Sequence, residues 1–230
     1  MIYVTGDTHG EREKIDNLAI QLELQDGDYL IIVGDFGFIF NNNNNYLEEL
    51  ILNALSKKPF KILFVDGNHE CFPAIFRYPE EMWNGGKVHK IRDNIYHLMR
   101  GQVFEIEGKK IFTMGGAYSV DRMFRKLNVS YWEEEIPTKE EIEEARRNLE
   151  LHNYQVDYII THTVPSSVKW LMGFEVSKNH EEDADFTDFL DEVREKVSYK
   201  KWYAGHFHIN KIVSPADNMI VLFEGVQFLD

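Results

Sequence analysis

Apolar residues along this chain alternate between two spacings. "MIYVT" (1–5), "DYLIIVGD" (28–35) and "KILFV" (61–65) are short apolar runs bounded by Gly, Asp or Asn, the mark of strands buried on both faces. Between them, "EREKIDNLAIQLE" (11–23) places Ile15, Leu18, Ala19 and Leu22 at helical spacing, and "NYLEELILNAL" (45–55) predicts a second helix. Strands alternating with helices predict βαβ units and a largely parallel sheet. The Asn41 to Asn45 run reads as a solvated loop opening the second helix.

The pattern changes near residue 87. "KVHKI", "NIYHLM", "QVFEIE" and "KIFTMGG" (87–116) are short strand-like runs split by turn residues, with Glu107-Gly108-Lys109 a hairpin candidate. They predict a second, mixed sheet. Residues 117–137 read as an irregular excursion. Thr138 then opens a helix, with Glu141 completing a capping box. "VDYIITH" (156–162) is a further buried strand, followed by a loop containing Val164-Pro165-Ser166-Ser167. An acidic helix near 183–197 leads into "KWYAGHFH" (201–208), and "KIVSP" and "MIVLFEGVQFL" close the chain. No repeat or linker divides the sequence, so residues 1–230 are expected to form a single domain with an irregular insertion at about 117–137.

Composition narrows the class without touching the chemistry. Hydrophobic residues make up 43% of the 230, and no run approaches the ~18 apolar residues of a membrane span. The first residues lack the basic start and long apolar stretch of a signal peptide. A single cysteine, Cys71, excludes an internal disulfide and suits a reducing compartment, so a cytoplasmic location away from membranes is expected. The net charge of −14, from 39 acids against 25 bases, argues against an extended nucleic-acid footprint. It leaves room for an anionic substrate at a local cationic site. No protein partner is specified.

The strand ends carry the candidate chemistry. They read "GDTH" (6–9), "GD" (34–35), "GNH" (67–69), "TH" (161–162) and "GHFH" (205–208). Open α/β sheets bind ligands outside the carboxyl ends of their strands. His9, His69, His162, His206 and His208 all fall there, while His89, His97, His152 and His180 are scattered. Carboxylate with imidazole and no thiolate suits manganese, iron, zinc or nickel. Glycines 6, 34, 67 and 205 are expected to permit the tight turns that gather these side chains. Taken singly each piece has an ordinary reading: Asp35 a helix-capping turn, Asn68 a turn former, "GHFH" an alternating strand end. Five ordered motifs on five strand ends point to metal.

"GDTHG … GD … GNHE … TH … GHFH" resembles the calcineurin-like metallophosphoesterase superfamily, in order and on the expected elements, over residues 6 to 208. The resemblance implies an α/β fold, a four-layer αββα sandwich of two mixed sheets flanked by helices, with the metal site at the C-terminal strand ends. It implies two divalent or trivalent ions, manganese favoured and iron, zinc or nickel as alternatives. Asp7, His9 and His208 would bind one; Asn68, His162 and His206 the other; Asp35 would bridge them. The implied reaction is hydrolysis of a phosphate mono- or diester by a metal-bridging hydroxide. His69 would be the general acid, or else a support beside the ligands. The expected substrate is a small molecule or an exposed phosphoryl group.

The chain departs from the protein phosphatases of that superfamily at two places. Their Asp-Arg-Gly after the second Asp is replaced by "GDFGFIFNNNNN", and Asp66 stands where they carry arginine before "GNHE". Phosphate favours a guanidinium, so Arg122 and Arg125 in the excursion are the candidate substrate-binding residues, with solvated arginines as the ordinary alternative. Tyr118 and Trp132 are expected either to wall the pocket or to join the core. A serine/threonine-type protein phosphatase, a catalytically silent scaffold and a nucleic-acid end-processing nuclease remain as alternative functions.

Overall fold

A computed structural model describes residues 1–43, 45–172, 182–214 and 216–230. The amino-terminal part keeps the predicted alternation: β1 (Ile2–Thr5), α1 (Arg12–Gln21), β2 (Tyr29–Ile32), α2 (Tyr46–Leu55) and β3 (Lys61–Phe64). After them come α3 (Phe72–Ile75), β4 (Glu80–Trp83), β5 (Gly86–Arg92), β6 (Ile95–Leu98), β7 (Gln102–Ile106) and β8 (Lys109–Met114). The carboxyl-terminal part comprises α4 (Lys139–Leu151), β9 (Tyr158–Thr161), α5 (Ala184–Lys196), β10 (Lys201–Ala204), β11 (Lys211–Ser214), β12 (Met219–Val221) and β13 (Val226–Phe228).

These strands form two mixed sheets. The first has the order β13-β1-β2-β3-β6-β5-β4, the second β11-β12-β10-β9-β8-β7. In the first, β1, β2, β3 and β6 are parallel, with Val4 opposite Ile31 and Ile31 opposite Leu63. In the second, β8, β9, β10 and β12 are parallel. The carboxyl ends of β1, β2 and β3, and those of β9 and β10, therefore gather at one edge of the molecule.

Side-chain alternation builds the layers. On β2, Leu30 and Ile32 join Ile15 and Leu18 of α1 and Leu52 and Leu55 of α2 in an outer core. Tyr29 and Ile31 face the other way, packing with Leu63, Val65, Tyr158, Ile160 and Tyr203 between the sheets. A third core lies beyond the second sheet, where Ile142 and Leu149 of α4 and Phe189 and Leu190 of α5 cover Phe112, Ile159 and Trp202. Each such buried side chain contributes about 1.5–3 kcal/mol. The outcome is the four-layer αββα sandwich expected.

Local signals hold. Thr138 Oγ1 accepts from Glu141 N at 3.2 Å while Glu141 Oε2 accepts from Thr138 N at 2.7 Å, a capping box worth about 1 kcal/mol. The β7–β8 hairpin turns through Glu107 (φ 50°) and Gly108 (φ 71°), as a type I′ turn requires. Cys71 is buried and free. Among the described residues no helix is long and apolar enough to cross a membrane.

Sheet membership differs from expectation. The runs after residue 87 do not open a second sheet together: β5 and β6 extend the first, and the second begins at β7. Antiparallel neighbours look alike in sequence whichever sheet they join, and what assigns β6 is a non-local pairing, Ile62 opposite Ile95. The edge strand β4 shows no alternation because it is mostly exposed. The last apolar run divides, β12 staying in the second sheet while β13 returns beside β1.

Candidate metal centre

Both sheets contribute to one cluster. Asp7 and His9 follow β1, Asp35 follows β2, and Asn68 and His69 follow β3. From the other sheet, His162 follows β9 and His206 and His208 follow β10. The loops interlock, Thr8 N and His9 N donating to Asp35 O at 3.1 and 2.7 Å, and Gly205 N to His162 O at 2.9 Å. His9, Asp35, His206 and His208 all have positive φ, 47° to 70°, a costly conformation outside glycine that concentrates at functional sites.

Two groups of donors share Asp35. In the first, ligand atoms of Asp7, His9, Asp35 and His208 lie within 4.8 Å of one another. His9 Nε2 is 2.9 Å from His208 Nε2, and His208 Nε2 is 3.5 Å from Asp7 Oδ2. In the second, Asn68 Oδ1 is 3.1 Å from His162 Nε2 and 2.9 Å from His206 Nδ1. Asp35 Oδ2 is 3.8 Å from His9 Nε2 and 3.4 Å from His162 Nε2. Donors bound at about 2.1 Å to one ion sit about 3 Å apart at a right angle, so these separations suit coordination.

Outer hydrogen bonds aim the donors. His162 Nδ1 donates to Val33 O at 2.8 Å, which fixes the ring with Nε2 toward Asp35. Asn68 Nδ2 donates to Ser119 Oγ at 2.9 Å, which turns Oδ1 toward the two imidazoles. Asp35 Oδ1 accepts from His69 N at 2.8 Å, freeing Oδ2. Asp7 accepts from His206 N at 3.0 and 3.3 Å. An oxygen and nitrogen set without sulfur, oriented this way, fits borderline divalent ions.

The glycines serve close approach more than bending. Gly34 has a positive φ (107°), whereas Gly6, Gly67 and Gly205 do not. A Cβ on Gly34 would collide with the His162 ring, one on Gly67 with Asp35, and one on Gly205 with the Asp7 carboxylate. The space a Cβ would take at these positions is filled by the side chains of His162, Asp35 and Asp7.

Charge is concentrated here. Burial pushes the Asp7 carboxyl up to about 7, with Asp35 adding to the rise and His162 opposing it. Burial also works to raise Asp35, but His162 outweighs it and holds that carboxyl below its ordinary range. The converse holds for His162: burial opposes its charge, yet Asp35 and Asp7 raise it to about 10. His206, buried beside His162, is lowered to about 3.

The excursion is ordered around this site, through short 3-10 turns at Arg122–Phe124 and Glu133–Glu135. Arg125 Nη2 lies 2.9 Å from His69 Nδ1 and 3.0 Å from Nε2, held by Asp121 at 2.8 Å. Arg122 does not join it. Its Nε donates to Glu135 at 2.6 Å and its Nη1 to Glu182 at 2.8 Å, and its guanidinium lies over the Tyr118 ring at 4.4 Å. Its Nη2 is buried without a hydrogen-bond partner. Trp132 is buried and joins the outer core.

Several further residues support the donors. Lys14 Nζ donates to Asp7 O at 2.8 Å and Phe223 O at 2.5 Å, and Phe223 stacks on His208 at 4.6 Å. Glu70 Oε1, fully buried, accepts from Phe36 N at 2.7 Å and ties the Asp35 loop to the Asn68 loop. Asp66 is buried against Arg100 (2.5 Å) and His97 (3.0 Å). His97 in turn meets His89 across the strands, Nδ1 to Nδ1 at 3.0 Å. These two histidines, scattered in sequence, are thus a buried pair. His152 caps the carboxyl end of α4, and His180 lies outside the described residues.

The chain is 32% identical over 128 residues to a lariat debranching enzyme of Schizosaccharomyces pombe, covering 50% of this chain and 26% of that protein. It thus spans about a quarter of the length of that relative. A Thermus thermophilus sulfate thiohydrolase SoxB, solved with glycerol, matches over 94% of this chain and 37% of its own, at 10% identity and a TM-score of 0.40. The model of the calcineurin-like phosphoesterase family matches residues 1–210; with the family match spanning β1 through the last of the candidate donors, this chain belongs to the calcineurin-like phosphoesterases.

Proposed function

We propose that the chain hydrolyses phosphate esters with two metal ions, Asp7, His9 and His208 holding one, Asn68, His162 and His206 the other, and Asp35 touching both. The observation that carries this reading is the position of Asp35 Oδ2, between His9 Nε2 at 3.8 Å and His162 Nε2 at 3.4 Å. Bound divalent ions, manganese favoured, would supply a nucleophilic water at neutral pH and polarise the phosphate oxygens. His69 stands beside the first donor group, its ring centroid 5.4 Å from that of His9, and gives a proton to the departing oxygen. Arg125, against that ring, binds a non-bridging phosphate oxygen and orients the ester. The substrate is a small or exposed phosphate ester.

The test uses protein loaded with Mn²⁺, with p-nitrophenyl phosphate and bis-p-nitrophenyl phosphate assayed in parallel and Asp35→Asn as control. Metal-dependent turnover that collapses in the variant is expected. No turnover of either compound, or undiminished turnover by the variant, would sink the reading.

The likeness to a lariat debranching enzyme favours a second reading, cleavage of a diester in a branched nucleic acid. The net charge of −14 weighs against wide contact with a polyanion. Lariat opening by the loaded protein at physiological salt, with neither nitrophenyl ester turned over, would favour it.

A further inference from the structure

Asn68 is 3% exposed and its amide has two faces. With Oδ1 toward His162 Nε2 and His206 Nδ1, it offers a metal a third donor. Turned over, Nδ2 would instead face those ring nitrogens, and an amide nitrogen, which only donates, offers a cation nothing. Something must favour the first face.

We propose that Ser119, Glu135 and Arg122 form a positioning relay that sets the Asn68 amide and thereby the affinity of the second metal position. The proposal rests on the two-ion reading above. Hydrogen-bond direction carries it. Asn68 Nδ2 can only donate, so Ser119 Oγ accepts from it at 2.9 Å. The Ser119 hydroxyl proton then goes to Glu135 Oε2 at 2.9 Å. Glu135 Oε1 accepts from Ser119 N at 2.9 Å and from Arg122 Nε at 2.6 Å. A carboxylate can only accept, so the chain runs one way from the amide to the carboxylate. Ser119 and Glu135 are both buried, 1% and 0% exposed, where an unmade hydrogen bond is expensive.

The relay also gives the excursion a purpose. Ala117 N donates to Glu135 O at 3.0 Å, closing the segment at its base, where Asn68 is held. Its middle carries Arg125 to His69. One irregular segment thus supports a ligand on one side and the acid on the other.

The experiment is a Mn²⁺ binding titration followed by electron paramagnetic resonance, on the wild type, Ser119→Ala, Asn68→Asp and the double variant, with melting in chelator as the check on folding. Ser119→Ala is expected to weaken one of the two ions about 10–100-fold, leave the other, and remove the signal of coupled ions. In the Asn68→Asp background, where either oxygen can ligate, Ser119→Ala is expected to change that affinity little. Two tight ions in Ser119→Ala would overturn the relay alone. So would equal loss at both positions with a lowered melting temperature, or the same loss in the Asn68→Asp background. A wild type that takes up fewer than two ions overturns the two-ion reading and the relay with it.

Discussion

Arg125 meets the His69 imidazole, its Nη2 2.9 Å from one ring nitrogen and 3.0 Å from the other. Burial lowers the imidazole to about 4, and Arg125 adds to this while Asp35 opposes it. A phosphate dianion entering between them would accept from the guanidinium and favour the imidazolium at once. Arg125→Ala is therefore expected to raise KM for a phosphate monoester about 10–100-fold, the range of one charge-assisted hydrogen bond. Steady-state kinetics on the Mn²⁺-loaded protein check it, and an unchanged KM would remove Arg125 from the site.

His69→Ala separates an acid from a ligand. Its metal content should match the wild type, while kcat on an alkyl phosphate falls about 10²–10⁴-fold. The p-nitrophenyl ester, whose leaving group needs no proton, should suffer less. Metal analysis and the two substrates side by side decide the matter, and loss of metal would make His69 a ligand.

Two glycines can be set against each other. Gly67→Ala introduces a Cβ into Asp35, so metal uptake should fall sharply. Gly108 has open space around it but a φ of +71°, so Gly108→Ala should cost about 1 kcal/mol in the hairpin and leave metal uptake alone. Metal analysis and thermal melting of both variants distinguish crowding from backbone strain.

The motifs at the strand ends were legible because each joins a short apolar run to polar residues of one chemical type. Asp7, Asp35 and His208 could be picked out that way, and the helices could be placed from Ile15, Leu18 and the Thr138 box. What stayed hidden depends on distant pairing. Nothing near Ser119 or Glu135 in sequence announces Asn68, and His89 and His97 look unrelated until β5 and β6 align. Arg122 and Arg125 are equivalent in sequence; a neighbouring carboxylate, Glu135 or Asp121, decides which one turns toward His69.

His89 predicts a pH dependence. Burial, with His97 adding to it, holds its imidazole down to about 4 against 6.5 in the free side chain. Facing it are His97 on β6, Glu80 on β4 at 3.8 Å, and the Phe76 ring, with Asp66 acting more weakly through its charge. The unfolded chain binds a proton there at higher pH than the folded one. Stability is therefore full above about 6.5 and declines as pH falls toward 4, by about 1.4 kcal/mol per unit. His89→Phe should flatten that stretch of a urea-melting profile; an unchanged slope would assign it to other groups.

Asp7, Asp35 and Asn68 stand on one sheet, His162, His206 and His208 on the other, and what keeps the sheets in step is the apolar seam of Ile31, Leu63, Tyr158 and Tyr203. That seam acts as a jig. Sliding one sheet over the other by an ångström would separate donors that now sit about 3 Å apart, so interior packing sets the gauge of the centre. Tuning of such a site need not touch it, since a methyl group gained or lost deep between the layers would be felt at the rim.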